Sequence, residues 1–234
     1  MKRTEFLRRS FRTLGAFTVI PVFGTCKSSE EIDPEEGSES GTCVLTEPET
    51  DGPFPTKNPA SLVLENITSD RTGTALTIRI IIQNKNDNCE PLAGAVVDIW
   101  HCDASGNYSQ YGNTGMQRTD YTSVNFLRGR QTTNSEGVAG FKSIYPGWYS
   151  GRAPHIHVHV YNSAGKSLLI TQIAFPEAIS AVVYAQGVYA SKGQADTSIA
   201  RDNVFGDGVS TEMATVTGSA SQGYELTHAI VVNA

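Results

Sequence analysis

Histidine is scarce in this 234-residue chain, with five copies, and tryptophan scarcer still, with two. Positive charge is also in short supply. Eighteen Lys and Arg stand against 24 Asp and Glu, a formal net charge of −6 and a pI near 5.4. No basic face is on offer, which excludes nucleic acid as a partner. The four cysteines include no C-x₂-C pair, which argues against the common structural zinc frameworks. Long amphipathic stretches are few and no internal repeat is visible. In their place 22 Gly and 10 Pro punctuate the chain, the composition of short strands and many turns.

The N-terminal segment "MKRTEFLRRSFRTLGAFTVIPVFGTC" combines a basic start, an apolar stretch from Leu14 to Phe23, and Cys26. About ten apolar residues are too few to span a bilayer, so residues 1–26 are expected to be an export signal. Arg8-Arg9-Ser10-Phe11 resembles a twin-arginine signal, and Phe23-Gly24-Thr25-Cys26 a loose lipobox. The chain is therefore expected to be exported, periplasmic or cell-surface, with a lipid anchor at Cys26 as its one link to a membrane. Residues 27–42, acidic and without aromatics, read as a solvated tether. The folded domain is expected over 43–234. In an exported chain two of Cys43, Cys89 and Cys102 should pair. Cys43, which opens the domain, is expected to bond Cys89 or Cys102.

Apolar, β-branched runs recur at strand length: "ALTIRIIIQN" (75–84), "AGAVVDIWHC" (93–102), "GVAGFKSI" (137–144), "HIHVHVY" (155–161), "LLITQIAF" (168–175) and "ELTHAIVVN" (225–233). Turn residues fill the gaps. One short helix is expected, in "PEAISAVVYAQG" (176–187). The pattern predicts an all-β fold, an antiparallel β-sandwich with long loops.

Three of the five histidines fall in one strand, at His155, His157 and His159. Alternation places them on one face, with Ile156, Val158 and Val160 toward the core. Neighbouring members, roughly 7 Å apart at Cα, can share one metal ion; three in line spread too far, so two ligands and one spectator are expected. A polar strand face in water is the bland alternative. The loop before the strand brings Tyr149 and Arg152 close, and upstream "DIWHCDASGNYSQYG" ends a strand in a turn that presents Tyr108 and Tyr111. Phenols lose their proton near pH 10, and a hard trivalent ion overcomes that cost. Two phenolates and two imidazoles around Fe(III) leave a net positive site suited to an oxygen chelate. Taken singly, each tyrosine also fits an ordinary half-buried sheet position.

The blocks "CVLTEPETDGPFP" (43–55), "PLAGAVVDIWHCDASGNYS" (91–109), "TNSEGVAGFKSIYPGWYSGRAPHIHV" (133–158) and "LLITQIAF" (168–175) together resemble the intradiol ring-cleavage dioxygenases, the catechol and protocatechuate family, in its secreted single-domain branch. The resemblance implies a non-haem Fe(III) enzyme. It would cleave a small aromatic diol between its two hydroxylated carbons, using O₂, to a cis,cis-muconate-type product. It makes Tyr108, Tyr149, His155 and His157 the metal ligands, with Tyr149 also accepting a substrate proton. Arg152 falls beside the bound substrate, Gln172 on the polar position that holds that arginine, and Pro53 and Phe54 on the substrate-lining segment. His159 has no family role. The loop from Tyr149 to His155 is shorter than in the ring-cleaving enzymes of central metabolism, and "GPFP" replaces their more usual aromatic pair. The identity of the diol and the oligomeric state are left open.

Two non-catalytic readings compete. An anchored sandwich can bind carbohydrate through exposed aromatics such as Trp148 and Tyr111, and a His-x-His-x-His face can bind zinc or copper. Sandwich folds host all three functions. Asp202 and Asp207 in "ARDNVFGDG" read as turn residues, His101 and His228 as satisfied or surface histidines, and Trp100 as core.

Overall fold

The structure, a computed structural model, describes residues 43–234. The expected export signal, Cys26 and the tether to residue 42 lie outside the described residues.

Among the described residues, nine strands and one α-helix follow in chain order: β1 (Ala75–Asn84), β2 (Glu90–Pro91), β3 (Val96–Trp100), β4 (Arg128–Thr132), β5 (Val138–Ile144), β6 (His155–Tyr161), β7 (Ser167–Ala174), α1 (Glu177–Tyr184), β8 (Thr215–Ser219) and β9 (Gly223–Val232). They form a five-stranded sheet, in which β1 pairs with β2, β5 and β9 and β9 with β8, and a four-stranded sheet in the order β4-β3-β6-β7. All the apolar runs read from sequence become strands. β4 ("RGRQT") and β8 ("TVTGS") were not expected, because the first is almost wholly polar and the second is a short polar run broken by Gly218 and Ser219. The antiparallel expectation also needs one correction. β9 runs parallel to β1, Leu76 opposite Tyr224 through Asn84 opposite Val232, because the chain returns to β1 after a long crossing.

Ile78, Ile80 and Ile82 of β1 and Ile156, Val158 and Val160 of β6 are fully buried in one apolar cluster with Val97, Ile99, Phe141, Leu226 and Ile230. Burying each such side chain stabilises the fold by roughly 1.5–3 kcal/mol relative to exposure. Cys43 bonds Cys89, with Cα atoms 5.8 Å apart, which resolves the open pairing; Cys102 is free and buried. The disulfide fixes the start of a segment that then bonds both sheets, Thr46 N–H to Val231 O (3.1 Å) and Glu49 N–H to Ile170 O (2.8 Å). Helix α1 starts directly after Pro176, where fixed φ suits a helix entry. Its buried residues, Ser180, Val183 and Tyr184, fall at helical spacing. Tyr184 donates to Pro146 O at 2.9 Å, which moors the helix to the loop that carries Tyr149.

Candidate metal centre

On the outer face of the four-stranded sheet, register brings three polar side chains into one row. Trp100 of β3 pairs with His157 of β6, and His157 with Gln172 of β7. Paired residues project to the same side. The indole of Trp100 lies flat on the His157 ring, centroids 4.9 Å apart and interplanar angle 1°. Trp100 is thus buried, in a cluster with Phe54, Cys102 and Tyr108 behind the site.

Two loops bring phenols over this row. In the first, Asp103 Oδ1 accepts from the backbone N–H of Ser105 and of Asn107, both at 2.9 Å, and the resulting turn presents Tyr108. The buried Gln117 clamps Tyr108 at both backbone groups, accepting from its N–H at 2.6 Å and donating to its carbonyl at 2.8 Å. The second loop carries Tyr149. It packs on the first so closely that a Cβ on Gly147 would sit 2.3 Å from Asp103 O; only glycine allows the approach. Asp196 secures its tip, accepting from Ser150 Oγ at 2.7 Å and from Gly151 N–H at 3.1 Å. Gly52, at φ +67°, lies against the other side of the site; a Cβ there would meet His157 Cε1 at 2.8 Å.

Tyr108, Tyr149, His155 and His157 converge. Tyr108 Oη is 3.4 Å from His155 Nε2, which is 3.1 Å from His157 Nε2. The Tyr149 ring stands 5.8 Å from that of Tyr108 and 5.7 Å from that of His155. His155 Nδ1 donates to Ala153 O at 2.6 Å, so its Nε2 bears a lone pair and faces a second imidazole nitrogen. Burial, followed by the charge of Arg152, pushes His155 down to about 3. Burial and the adjacent His155 hold His157 well below the usual imidazole range. Both rings are therefore neutral, the ligating form. Burial raises Tyr108 and Tyr149 above the usual phenol range, so their ionisation calls for a strong local positive charge.

These residues fit a hard trivalent ion. Two imidazole nitrogens 3.1 Å apart have the spacing of donors that share one ion at about 2.1 Å from each. Among the described residues no group of three or more His, Cys, Asp or Glu is arranged to hold a metal, so any ion here depends on the phenols. His159, expected to be a spectator, is engaged elsewhere, with Ser167 Oγ and Tyr161 Oη each at 2.8 Å.

Arg152 and Gln172 also meet. Arg152 Nη2 donates to Gln172 Oε1 at 2.6 Å, and Gln172 Nε2 donates to Thr50 O at 2.8 Å. Arg152 Nη1 lies 3.4 Å from Tyr149 Oη. A cleft of about 310 Å³ opens above, lined by Pro53, Met116, Tyr149, Arg152, Asn203 and Val204 among others. Phe54 departs from its expected place. Its ring does not line the cleft; it is buried and stacked on Tyr108, centroids 4.8 Å apart, and its carbonyl accepts from Arg128 Nη1 at 2.9 Å.

Three residues here carried no sequence signal. Asp202, read as a turn residue, is buried, and its two carboxylate oxygens each accept from Arg152 Nε at 2.9 Å. It also accepts from the N–H groups of Ala153 (2.7 Å) and Val204 (2.8 Å). Arg128 is fully buried with hydroxyl and carbonyl acceptors only: Ser109 Oγ and O, Phe54 O and Thr56 Oγ1. Its cation lies 5.8 Å from the Tyr108 ring and favours the phenolate. Gln117 is the third.

Residues 51–215 match the family model described as "Dioxygenase". The fold superposes with a TM-score of 0.74 on an intradiol ring-cleavage dioxygenase from Tetranychus urticae, 29% identical, over 82% of this chain and 95% of that one. A chlorocatechol 1,2-dioxygenase of Rhodococcus opacus is 28% identical over 142 residues, 53% of this chain and 51% of that protein. The protocatechuate 3,4-dioxygenase beta chain of Burkholderia cepacia is 29% identical over 116 residues, 45% of this chain and 48% of that protein. The chain spans about half the length of these curated relatives. With the family model covering most of the chain and the sandwich shared across nearly the whole of the Tetranychus urticae structure, this protein belongs to the intradiol ring-cleavage dioxygenase family.

Proposed function

We propose that this protein is a non-haem Fe(III) dioxygenase that cleaves a catechol-type diol between its hydroxylated carbons, with both atoms of O₂ entering the product. The observation that carries this reading is the convergence of two phenols and two neutral imidazoles beside an arginine, at the floor of an open cleft. Tyr108, Tyr149, His155 and His157 would hold the ion. When bound, the ion would supply Lewis acidity toward the hydroxyl oxygens of the diol.

The chain's own residues do the rest. Tyr149 lines the cleft, so its Oη is placed to take one proton from an incoming diol. Tyr108 is fully buried behind Phe54 and remains a fixed ligand. Arg152, held by Gln172 and Asp202, presents Nη1 to the reacting ring as a preorganised donor for developing negative charge. Trp100 and Phe54 exclude water from behind the imidazole and phenol rings. Export, residence outside the cytoplasm and lipid attachment at Cys26 belong to the same proposal, supported by the N-terminal sequence alone.

The competing readings have less support. Trp148 is half-buried, with its indole N–H bonded to Gly193 O at 2.9 Å, and Tyr111 donates to Pro55 O at 2.7 Å beneath Lys57. Neither is a free sugar platform. A zinc or copper site on the histidine face lacks His159 as its third member. The test is oxygen consumption by iron-loaded protein against a panel of catechols, with products weighed by mass spectrometry. The expected product is the diol plus two oxygen atoms, and Tyr149→Phe should reduce its formation by about 10²-fold or more. Absence of oxygen uptake with every catechol overturns the assignment.

A further inference from the structure

Arg152 is the sole cation among the residues lining the cleft, and Asp202 is paired with its Nε edge. The pair is buried at both ends, 7% exposed for Arg152 and 1% for Asp202, with the carboxylate gripping Nε through both oxygens. Gln172 takes Nη2. Only Nη1 remains toward the cleft, directed at Tyr149 Oη. Asp196 braces the Ser150–Gly151 rim. An anionic group entering the cleft would thus meet no unpaired cation among the side chains that line it.

We infer that Asp202 is a specificity-determining residue, which caps Arg152 so that the cleft takes catechols without a carboxylate and disfavours carboxylated ones. The inference rests on the dioxygenase reading for its substrate class. The physical claim is narrower: a substrate carboxylate finds its charge partner already taken. Exclusion of this kind separates two ligands by what the site withholds from one of them.

The test compares catechol with 3,4-dihydroxybenzoate on iron-loaded full-length protein. Binding is measured anaerobically by calorimetry, and turnover separately by oxygen uptake. Catechol is expected to bind at least about tenfold more tightly, about 1.4 kcal/mol, because the carboxylate finds no unpaired cation to offset its desolvation. Asp202→Asn, which keeps the shape and uncovers the cation, should shift the ratio of the two affinities about tenfold toward the carboxylate. A ratio taken on one sample does not depend on how much of that sample is folded. Should Asp202→Asn not be recoverable as folded protein, Asn203→Lys supplies a cation at the cleft wall and should move the ratio the same way. Equal or tighter binding of 3,4-dihydroxybenzoate by the unaltered protein overturns the inference, as does an unchanged ratio in the variant. If both diols bind in the expected order and neither is turned over, the charge assignment stands and the oxygenase reading falls.

Discussion

β1 alternates strictly, turning Leu76, Ile78, Ile80 and Ile82 into the core and Thr77 and Arg79 outward. In β6 the first four residues are buried without alternation, and only at His159 and Tyr161 does exposure return. Both strands contribute the same kind of aliphatic face to one core. The difference lies on the other side. Over β1 the outer face meets solvent; over the start of β6 it is roofed by the Tyr108 and Tyr149 loops and by the segment 199–205. Imidazoles buried on a strand's second face need polar partners there. The same strand shows this within itself, for His155 and His157 face each other while His159 settles for a serine and a tyrosine hydroxyl.

Substitutions should separate these two faces. The largest effect is expected on the roofed side: His157→Gln should lower turnover of catechol by on the order of 10³-fold, about 4 kcal/mol in barrier, with little change in the thermal transition. Steady-state kinetics beside a melting curve checks both halves. Away from the site, Cys43→Ser removes a cross-link between residues 46 apart in sequence. It should cost about 4 kcal/mol by loop entropy, read from denaturant unfolding under oxidising conditions. Ile80→Ala, in the one-sided sheet, should cost about 3 kcal/mol while leaving turnover per folded molecule unaltered. A loss of catalysis from Ile80→Ala at full folding would erase the distinction between the sheets.

The smallest effect is a pH slope. Glu212 is buried with neither carboxylate oxygen bonded. Burial, then Glu49, Asp207 and Glu47, push it from 4.5 up to about 8. Between those values the folded chain keeps a proton that the unfolded chain has released, so this group makes stability fall as pH rises through that window. Glu212→Gln should flatten the slope and raise stability at pH 8 by about 1–2 kcal/mol, with little change at pH 5. Melting temperatures at the two pH values decide it.

How far the fold and site were legible follows from the same contrast. β-branched runs marked β1, β3, β5, β6, β7 and β9, because each buries an aliphatic face. β4 and β8 escaped: one is largely polar with Arg128 and Arg130, the other is an exposed edge. The parallel pairing of β9 with β1 depends on where a long crossing returns, which no local pattern records. Tyr108, Tyr149, His155 and His157 stood out through the resemblance and their spacing. Asp202 did not, since its role exists only once residues 199–205 fold back onto Arg152. Phe54 was read onto the substrate-lining segment, and its stacking on Tyr108 is a tertiary contact that no local pattern records.

Visible absorption of the iron-loaded protein tests the central claim most directly. Phenolate bound to ferric iron absorbs visible light, so the protein should be red-brown, and Tyr108→Phe and Tyr149→Phe should each weaken or shift the band. A colourless protein that takes up no iron, or a band indifferent to both substitutions, would contradict the account.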